Sequence, residues 1–334
     1  MIKVAIAGGA GYTAGELIRI LINHPAAELK YIQSSSHDGE PIWSVHSDML
    51  YCPLTFSAID FNDIDVLFIC MGHGNSAKFL EENPVPESVK IIDLSNDFRL
   101  KADAGEFVYG APELNREKIR SARCVANPGC FATSINLALI PLAAAGILPE
   151  EVTVTGITGA TGAGQKPTND THFSNRSANL SNYKVFTHQH LGEIGETVVA
   201  AGGSEATDIA FVPVRGCHSR GIISDVVVRV DEPLEKIVEI FKAYYAEHPF
   251  VCVSDKPVYM KQVVNTNYCF LSLQKEGRKL LIIDSSAGGT GFSSHQWGVG
   301  NFLHRRLTEM MDAAIGENDR VVAFLWHQGE HDAF

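Results

Sequence analysis

Lys3-Val4-Ala5-Ile6-Ala7-Gly8-Gly9-Ala10-Gly11-Tyr12-Thr13-Ala14 is the stretch on which the fold turns. Lys3 to Ala7 is short, apolar and closed by glycines, the pattern of a buried strand. The next segment puts Leu17, Ile18, Leu21 and Ile22 on one helical face before Pro25 stops it, and Leu29 to Gln33 reads as a second strand. Strand, helix and strand in that order make a β-α-β unit, whose natural product is a parallel sheet. Val66 to Met71 and Lys90 to Asp93 continue as buried strands. Each leads into a loop of small or polar residues, where open α/β sheets place their ligands.

The texture changes after Cys130. An apolar-periodic run, Phe131 to Ala145, predicts a helix that starts beside that cysteine. β-rich runs follow at Val152 to Thr158, Asp208 to Val212 and Ile222 to Val230, then a helix at Leu234 to Glu247. Between the first two runs lies a polar stretch, Gly159 to His190, and so long a connection is more often functional than idle. The expected fold class is therefore α/β, a Rossmann-type doubly wound parallel sheet with a second α+β domain. The expected division is a dinucleotide domain over 1–128, a catalytic domain over 129–280 and an atypical segment over 281–334.

Composition narrows the classes. The chain has 334 residues, 45% hydrophobic and 20% charged, which suits a globular protein of two domains. A net charge of −12 without any basic run argues against nucleic-acid binding, which rests on clustered Lys and Arg. No apolar stretch approaches the roughly 20 residues that span a bilayer, and the first residues enter a strand pattern without a leader-like segment. The seven cysteines, at 52, 70, 124, 130, 217, 252 and 269, are scattered and form no Cys-x-x-Cys pair. A cytoplasmic protein with a small-molecule substrate is expected, without membrane, nucleic acid, disulfide framework or metal.

Gly8, Gly11 and Ala14 form a Gly-x-x-Gly-x-x-Ala variant of the dinucleotide fingerprint. The helix start at Tyr12 and Thr13 faces a pyrophosphate. A plain structural turn is the alternative. Where a carboxylate would hold the ribose hydroxyls of NAD, the chain has Ser34-Ser35-Ser36. Hydroxyls accept a 2′-phosphate that a carboxylate would repel, which favours NADP. His73, in Met71-Gly72-His73-Gly74, borders the cofactor or decorates a surface turn.

Asn127-Pro128-Gly129-Cys130 puts a lone thiol at a helix start, where unpaired backbone N–H groups favour thiolate and hence attack on an acyl group. The plain alternative is a small residue filling a turn. His188 and His190 lie in a His-x-His-x-x-Glu-Ile sequence and have the ordinary pKa of a proton shuttle.

These motifs, in order, closely resemble the N-acetyl-γ-glutamyl-phosphate reductases of arginine biosynthesis, relatives of aspartate-semialdehyde dehydrogenase. The resemblance runs from Met1 to about Leu280. It rests on Gly8 to Gly15, Asp93 to Leu100, Tyr109 to Leu114, Asn127 to Cys130, Gly159 to Gly164, His188 to Ile194 and Arg220 to Ile222. It implies that Cys130 forms a thioester from an acyl phosphate, which hydride from NADPH reduces to the semialdehyde. By motif position His188 is the implied proton carrier and His190 an orienting or substrate-facing residue, with the reverse assignment open. The resemblance implies further that Arg99 and Arg220 bind anionic groups, with Arg215 a weaker candidate. Ser95, Asn127 and Glu193 are implied at the substrate, and Gly162 and Gly164 close to nicotinamide or phosphate. A homo-oligomer, dimer or tetramer, follows from the same source, and the acyl group, acetyl or succinyl, stays open.

Beyond about Leu280 the resemblance stops. The Asp-Asn pair and the Lys-Gly-Ala-x-Gly-Gln-Ala segment of the family are absent. The tail from Ile283 to Asp332 instead resembles an internal fragment of SGNH-type carbohydrate esterases, related to sialate O-acetylesterases. This implies a fusion, a chimera or an assembly error. The tail lacks the Gly-Gln-Ser-Asn nucleophile motif of that class, so it is no esterase by itself. Leu303 to Ile315 still reads as an amphipathic helix able to pack on the dinucleotide domain. Loss of the family segment implies a dinucleotide-binding homologue with impaired turnover as the alternative to a working reductase.

Overall fold

The computed structural model describes residues 1–275. The readings placed on 281–334, namely the esterase-like fragment, the helix at 303–315 and its packing, lie outside the described residues. The first half alternates strand and helix as its periodicity dictates: β1 (Ile2–Ala7), α1 (Tyr12–Leu21), β2 (Ala27–Gln33), β3 (Val66–Ile69), α2 (Ser76–Glu82), β4 (Lys90–Asp93), β5 (Phe107–Tyr109), α3 (Pro112–Ser121) and β6 (Cys124–Ala126). All six strands are parallel, in the order β2-β1-β3-β4-β6-β5. Strand order reverses between β1 and β3, which opens a crevice at the carboxyl ends of those strands.

Buried aliphatics explain why the strands sit centrally. Val4 and Ile6 face one layer with Ile18, Leu21 and Ile32, while Ala5 and Ala7 face another with Leu67, Ile69 and Ile91. A strand covered on both faces reads as a continuous apolar run, and Lys3 to Ala7 does so.

The second half contains α4 (Cys130–Ala144), β7 (Glu151–Thr158), α5 (Phe173–Arg176), β8 (Ser181–Asn182), α6 (His190–Ala200), β9 (Asp208–Arg215), β10 (Ile222–Val228), α7 (Leu234–Tyr244), β11 (Val251–Ser254) and β12 (Cys269–Ser272). Its main sheet is mixed, in the order β10-β7-β9-β8. Phe131, Ile135 and Leu139 of α4 and Ile194 and Val198 of α6 pack on Val152, Val154, Ile209 and Phe211 of that sheet. Burying a side chain such as Phe131 contributes roughly 2–3 kcal/mol, so the residue after Cys130 anchors the helix that carries it.

Candidate active site

Three helices, α1, α2 and α4, begin where parallel strands β1, β3 and β6 end. At the first, Gly8 has φ +81°, and a Cβ there would stand 2.9 Å from the Cys70 carbonyl on neighbouring β3. Only glycine fits both demands. The N–H groups of Gly8 and Gly9 bond to the Gln33 carbonyl, so they hold the turn rather than reach outward. Beyond Gly11, α1 has neither a side-chain cap nor an acidic residue in its first turn. Its first N–H groups at Tyr12, Thr13 and Ala14 thus suit an anion, and the turn fits a pyrophosphate. Ser34, which is buried, lies 3.4 Å from Ser36 between hydroxyl oxygens at the end of β2. Sequence reading missed His46: its Nε2 meets the Gly9 carbonyl at 2.9 Å, and its ring lies over Gly15.

At the second helix start, Asp97 accepts from the N–H groups of Gly74, Ser76 and Ala77 at 2.6, 3.0 and 3.2 Å. The loop Gly72-His73 is fixed beside it, with His73 Nδ1 accepting the Asn96 N–H at 3.0 Å. His73 lies within electrostatic reach of His190.

At the third, Cys130 is the first residue of α4, reached by solvent, and Asn127 beside it is exposed. Gly129 is fixed by its surroundings, since a Cβ there would enter both the His190 ring and the Glu193 carboxylate. Glu193 accepts the Gly129 N–H at 3.0 Å, the Tyr109 hydroxyl at 2.9 Å and Arg99 Nη1 at 3.2 Å. Arg99 also donates to the carbonyls of Asn127 and Leu94. This buried pair spans the two halves of the chain; removing either partner leaves an uncompensated charge and costs about 3–5 kcal/mol. Arg99 and Glu193, expected at the substrate by resemblance, are engaged with each other and with the loop before Cys130.

Ser95 is engaged likewise. Its hydroxyl donates to Asp93 at 2.6 Å and accepts the Asp97 N–H at 3.0 Å, in a fully buried turn. Arg220 pairs with Glu16 of α1 at 2.7 Å, so it joins the second half to the dinucleotide turn as a half-exposed ion pair. Its loop runs along the glycine loop, with Ala160 and Thr161 N–H groups donating to the carbonyls of His218 and Ser219. Gly162 and Gly164 lie in the same glycine loop.

The histidines meet at the α4 start. Their ring centroids are 4.6 Å apart, and both lie edge-on to Phe131, at 5.5 Å for His188 and 6.4 Å for His190. Burial pushes His188 down to about 4 and, with help from His188 and Arg99, His190 down to about 3, so both are neutral at pH 7. His188 Nδ1 accepts the His190 backbone N–H at 3.2 Å. In neutral His188 the proton then sits on Nε2, which makes that nitrogen a donor. His190 Nδ1 has no partner, and its Nε2 stands 3.8 Å from Glu193 Oε1. His190 thus keeps an unengaged ring nitrogen, whereas His188 Nδ1 is spent on the backbone.

The expected resting thiolate also needs correction. Desolvation by the surrounding walls pushes the Cys130 thiol up, and the Phe131 N–H and the Arg99 charge do not offset it. A helix start lowers a thiol only as far as the local solvent permits, so ionisation here requires a base. Tyr183, 5.6 Å from the His188 ring and within electrostatic reach of Cys130, completes the wall; burial pushes its hydroxyl up to about 12. Among the described residues no group of His, Cys, Asp or Glu is arranged to hold a metal, and no helix is long and apolar enough to cross a membrane.

A glycine turn at one helix start, a thiol at another along the same sheet edge and a neutral histidine pair fit an oxidoreductase of the semialdehyde dehydrogenase class. Residues 3–122 match the semialdehyde dehydrogenase NAD binding domain family and residues 130–287 the semialdehyde dehydrogenase dimerisation domain family. N-acetyl-γ-glutamyl-phosphate reductase from Bacteroides fragilis is 50% identical over 285 residues, 85% of this chain and 88% of that protein. The protein of the same name from Christiangramia forsetii is 47% identical over 283 residues, 84% of this chain and 88% of that one. Aspartate semialdehyde dehydrogenase II from Vibrio cholerae shares the fold, with TM-score 0.61 and 17% identity over 81% of this chain and 88% of its own. So does aspartate semialdehyde dehydrogenase with NADP from Candida albicans, with TM-score 0.57 and 14% identity over 77% and 84%. The chain belongs to the N-acetyl-γ-glutamyl-phosphate reductase family.

Proposed function

We propose that this chain reduces N-acyl-γ-glutamyl phosphate, foremost the N-acetyl form, to N-acyl-glutamate 5-semialdehyde and phosphate with NADPH, through a thioester on Cys130. The observation that carries this reading is Cys130 on the first turn of α4, next to a glycine enclosed by His190 and Glu193. Cys130 Sγ bonds to the acyl carbon, the carbon–oxygen bond to phosphate breaks, and phosphate leaves. The thiol proton passes to the neutral His190 imidazole, whose Nε2 stands 3.8 Å from Glu193 Oε1. His188, a donor through Nε2, hydrogen-bonds the acyl oxygen as charge develops on it. The dinucleotide, when bound, supplies hydride to the thioester carbon. The carbon–sulfur bond then breaks as the aldehyde leaves, and the Cys130 thiolate takes a proton back from the His190 imidazolium.

The turn at Gly11 and the first turn of α1 would hold the pyrophosphate. Ser34 and Ser36, without a carboxylate beside them at the end of β2, favour NADP over NAD. Gly72, His73, Gly162 and Gly164 would lie along the dinucleotide, and Asn127 beside the acyl group. We assign the boundary between dinucleotide and catalytic domains to the turn before Cys130. The dimerisation-domain match supports a homo-oligomer; a dimer or tetramer acting on a small metabolite in the cytoplasm belongs to the same proposal.

The test is phosphate-dependent reduction of NADP by N-acetyl-glutamate semialdehyde. Cys130→Ser should lose at least about a thousandfold in kcat with the fold intact by circular dichroism. Retained activity would remove the nucleophile. His190→Asn should lose more than His188→Asn. An inactive wild-type chain that still titrates NADPH would instead mark a binding homologue with impaired turnover, the alternative tied to residues 281–334.

A further inference from the structure

Arg176 is the exception in its segment. Every other residue from His172 to Leu180 is exposed, yet Arg176 is only 4% exposed. Its Nη1 donates to the Ser181 hydroxyl at 2.9 Å, its Nε is buried without a partner, and among the described residues no carboxylate pairs with it. A guanidinium withdrawn from water without a counter-charge is costly, so such a group marks a place where an anion belongs. A second unpaired guanidinium stands close by. Ser181 lies opposite Arg215 in the β8–β9 ladder, and the Arg215 guanidinium sits 4.6 Å over the Tyr183 ring. Tyr183 is the residue whose ring faces His188 and whose hydroxyl senses Cys130. Ser181, bonded to Arg176 and opposite Arg215, is thus two residues from Tyr183, whose ring carries Arg215 and faces His188.

The backbone here is also unusual. Ala178, Lys184 and Phe186 have φ of +53°, +46° and +57°, the left-handed region that favours glycine. Strain concentrated between Arg176 and His188 is the pattern of a segment held for function rather than for packing.

We propose that Arg176 and Arg215 form the subsite for the carboxylate on the substrate that takes no part in the reaction. This rests on the reductase reading and deepens it. A planar carboxylate matches the single free edge that a buried guanidinium offers. The phosphate, which must depart to water after the thioester forms, is the poorer match for so enclosed a group. A fixed carboxylate would also set which acyl carbon meets the sulfur.

The experiment compares two probes by calorimetry. N-acetyl-L-glutamate carries the α-carboxylate, and N-acetyl-4-aminobutyrate is the same molecule without it. The wild-type protein should bind the first at least tenfold more tightly. Arg176→Gln and Arg215→Gln should each cut that preference to under threefold and leave NADP affinity within twofold. A preference that survives in either variant, or a wild-type protein with none, overturns the proposal. If Arg176→Gln does not fold, Arg176→Lys keeps the charge and removes the fork; it should lose at least threefold of the preference, and an undiminished preference overturns the proposal. Cys130→Ser should keep the full preference. A wild-type chain that shows the preference without turnover would uphold the subsite and reject the reductase reading.

Discussion

Helices α1 and α2 both begin at the carboxyl edge of the parallel sheet and both offer unpaired N–H groups there, yet they are finished differently. Asp97 fills the start of α2 with three hydrogen bonds, whereas α1 has no cap and no acid in its first turn. Closing one helix start inside the chain makes it part of the scaffold; leaving the other open reserves it for an anion from outside. The same sheet edge thus supplies a rigid loop bearing His73 and a vacant dipole beside it. The difference between the two is a single aspartate.

The comparison is most severely tested by reversing it at α1. A Cβ at Gly11 meets nothing within 4 Å, and φ there is −78°, so Gly11→Asp fits without strain. It should stabilise α1 by a few tenths of a kcal/mol, and weaken NADPH about a hundredfold, roughly 2.7 kcal/mol. Fluorescence titration of NADPH measures this, and unchanged affinity would mean the pyrophosphate lies elsewhere. Emptying the start of α2 should do the converse. Asp97→Ala should cost about 1–2 kcal/mol of stability in urea unfolding, with dinucleotide affinity falling much less than in Gly11→Asp.

The third helix start, at Cys130, sharpens the comparison with the smallest effect, because its neighbours are neutral histidines. His188 and His190 sit at about 4 and about 3, below the ordinary 6.5. As pH falls, the unfolded chain therefore binds protons first. Stability present at pH 7 is lost progressively from about pH 6.5 toward 4, on the order of 1 kcal/mol per histidine by pH 5 after allowance for solvent screening. The thermal midpoint should be lower at pH 5 than at pH 7, and His188→Asn should shrink the drop; an equal drop in both proteins would place that sensitivity elsewhere.

Much of the framework was legible because it is local. The β-α-β unit follows from apolar runs of a few residues and one proline stop, and the observed strands β1, β2 and β4 differ from their readings by at most two residues. Position 130 at a helix start was equally visible, since the apolar period begins there. What stayed out of reach was partner choice. Arg99 and Glu193 look like substrate contacts when read singly, but they are 94 residues apart and find each other. His46, 37 residues from Gly9, gives no local sign that it supports the dinucleotide turn. Asp97 reads as one polar residue among several until the start of α2 is folded over it.

The sequence by itself determined the doubly wound sheet, the glycine turn and the lone thiol ahead of an apolar helix, because backbone period and glycine content act over a few residues. The tertiary structure decided which charged groups are spent on the scaffold and which are left for a ligand. It also set the protonation of the cysteine and the two histidines, because desolvation and hydrogen bonding depend on neighbours that only folding brings within reach.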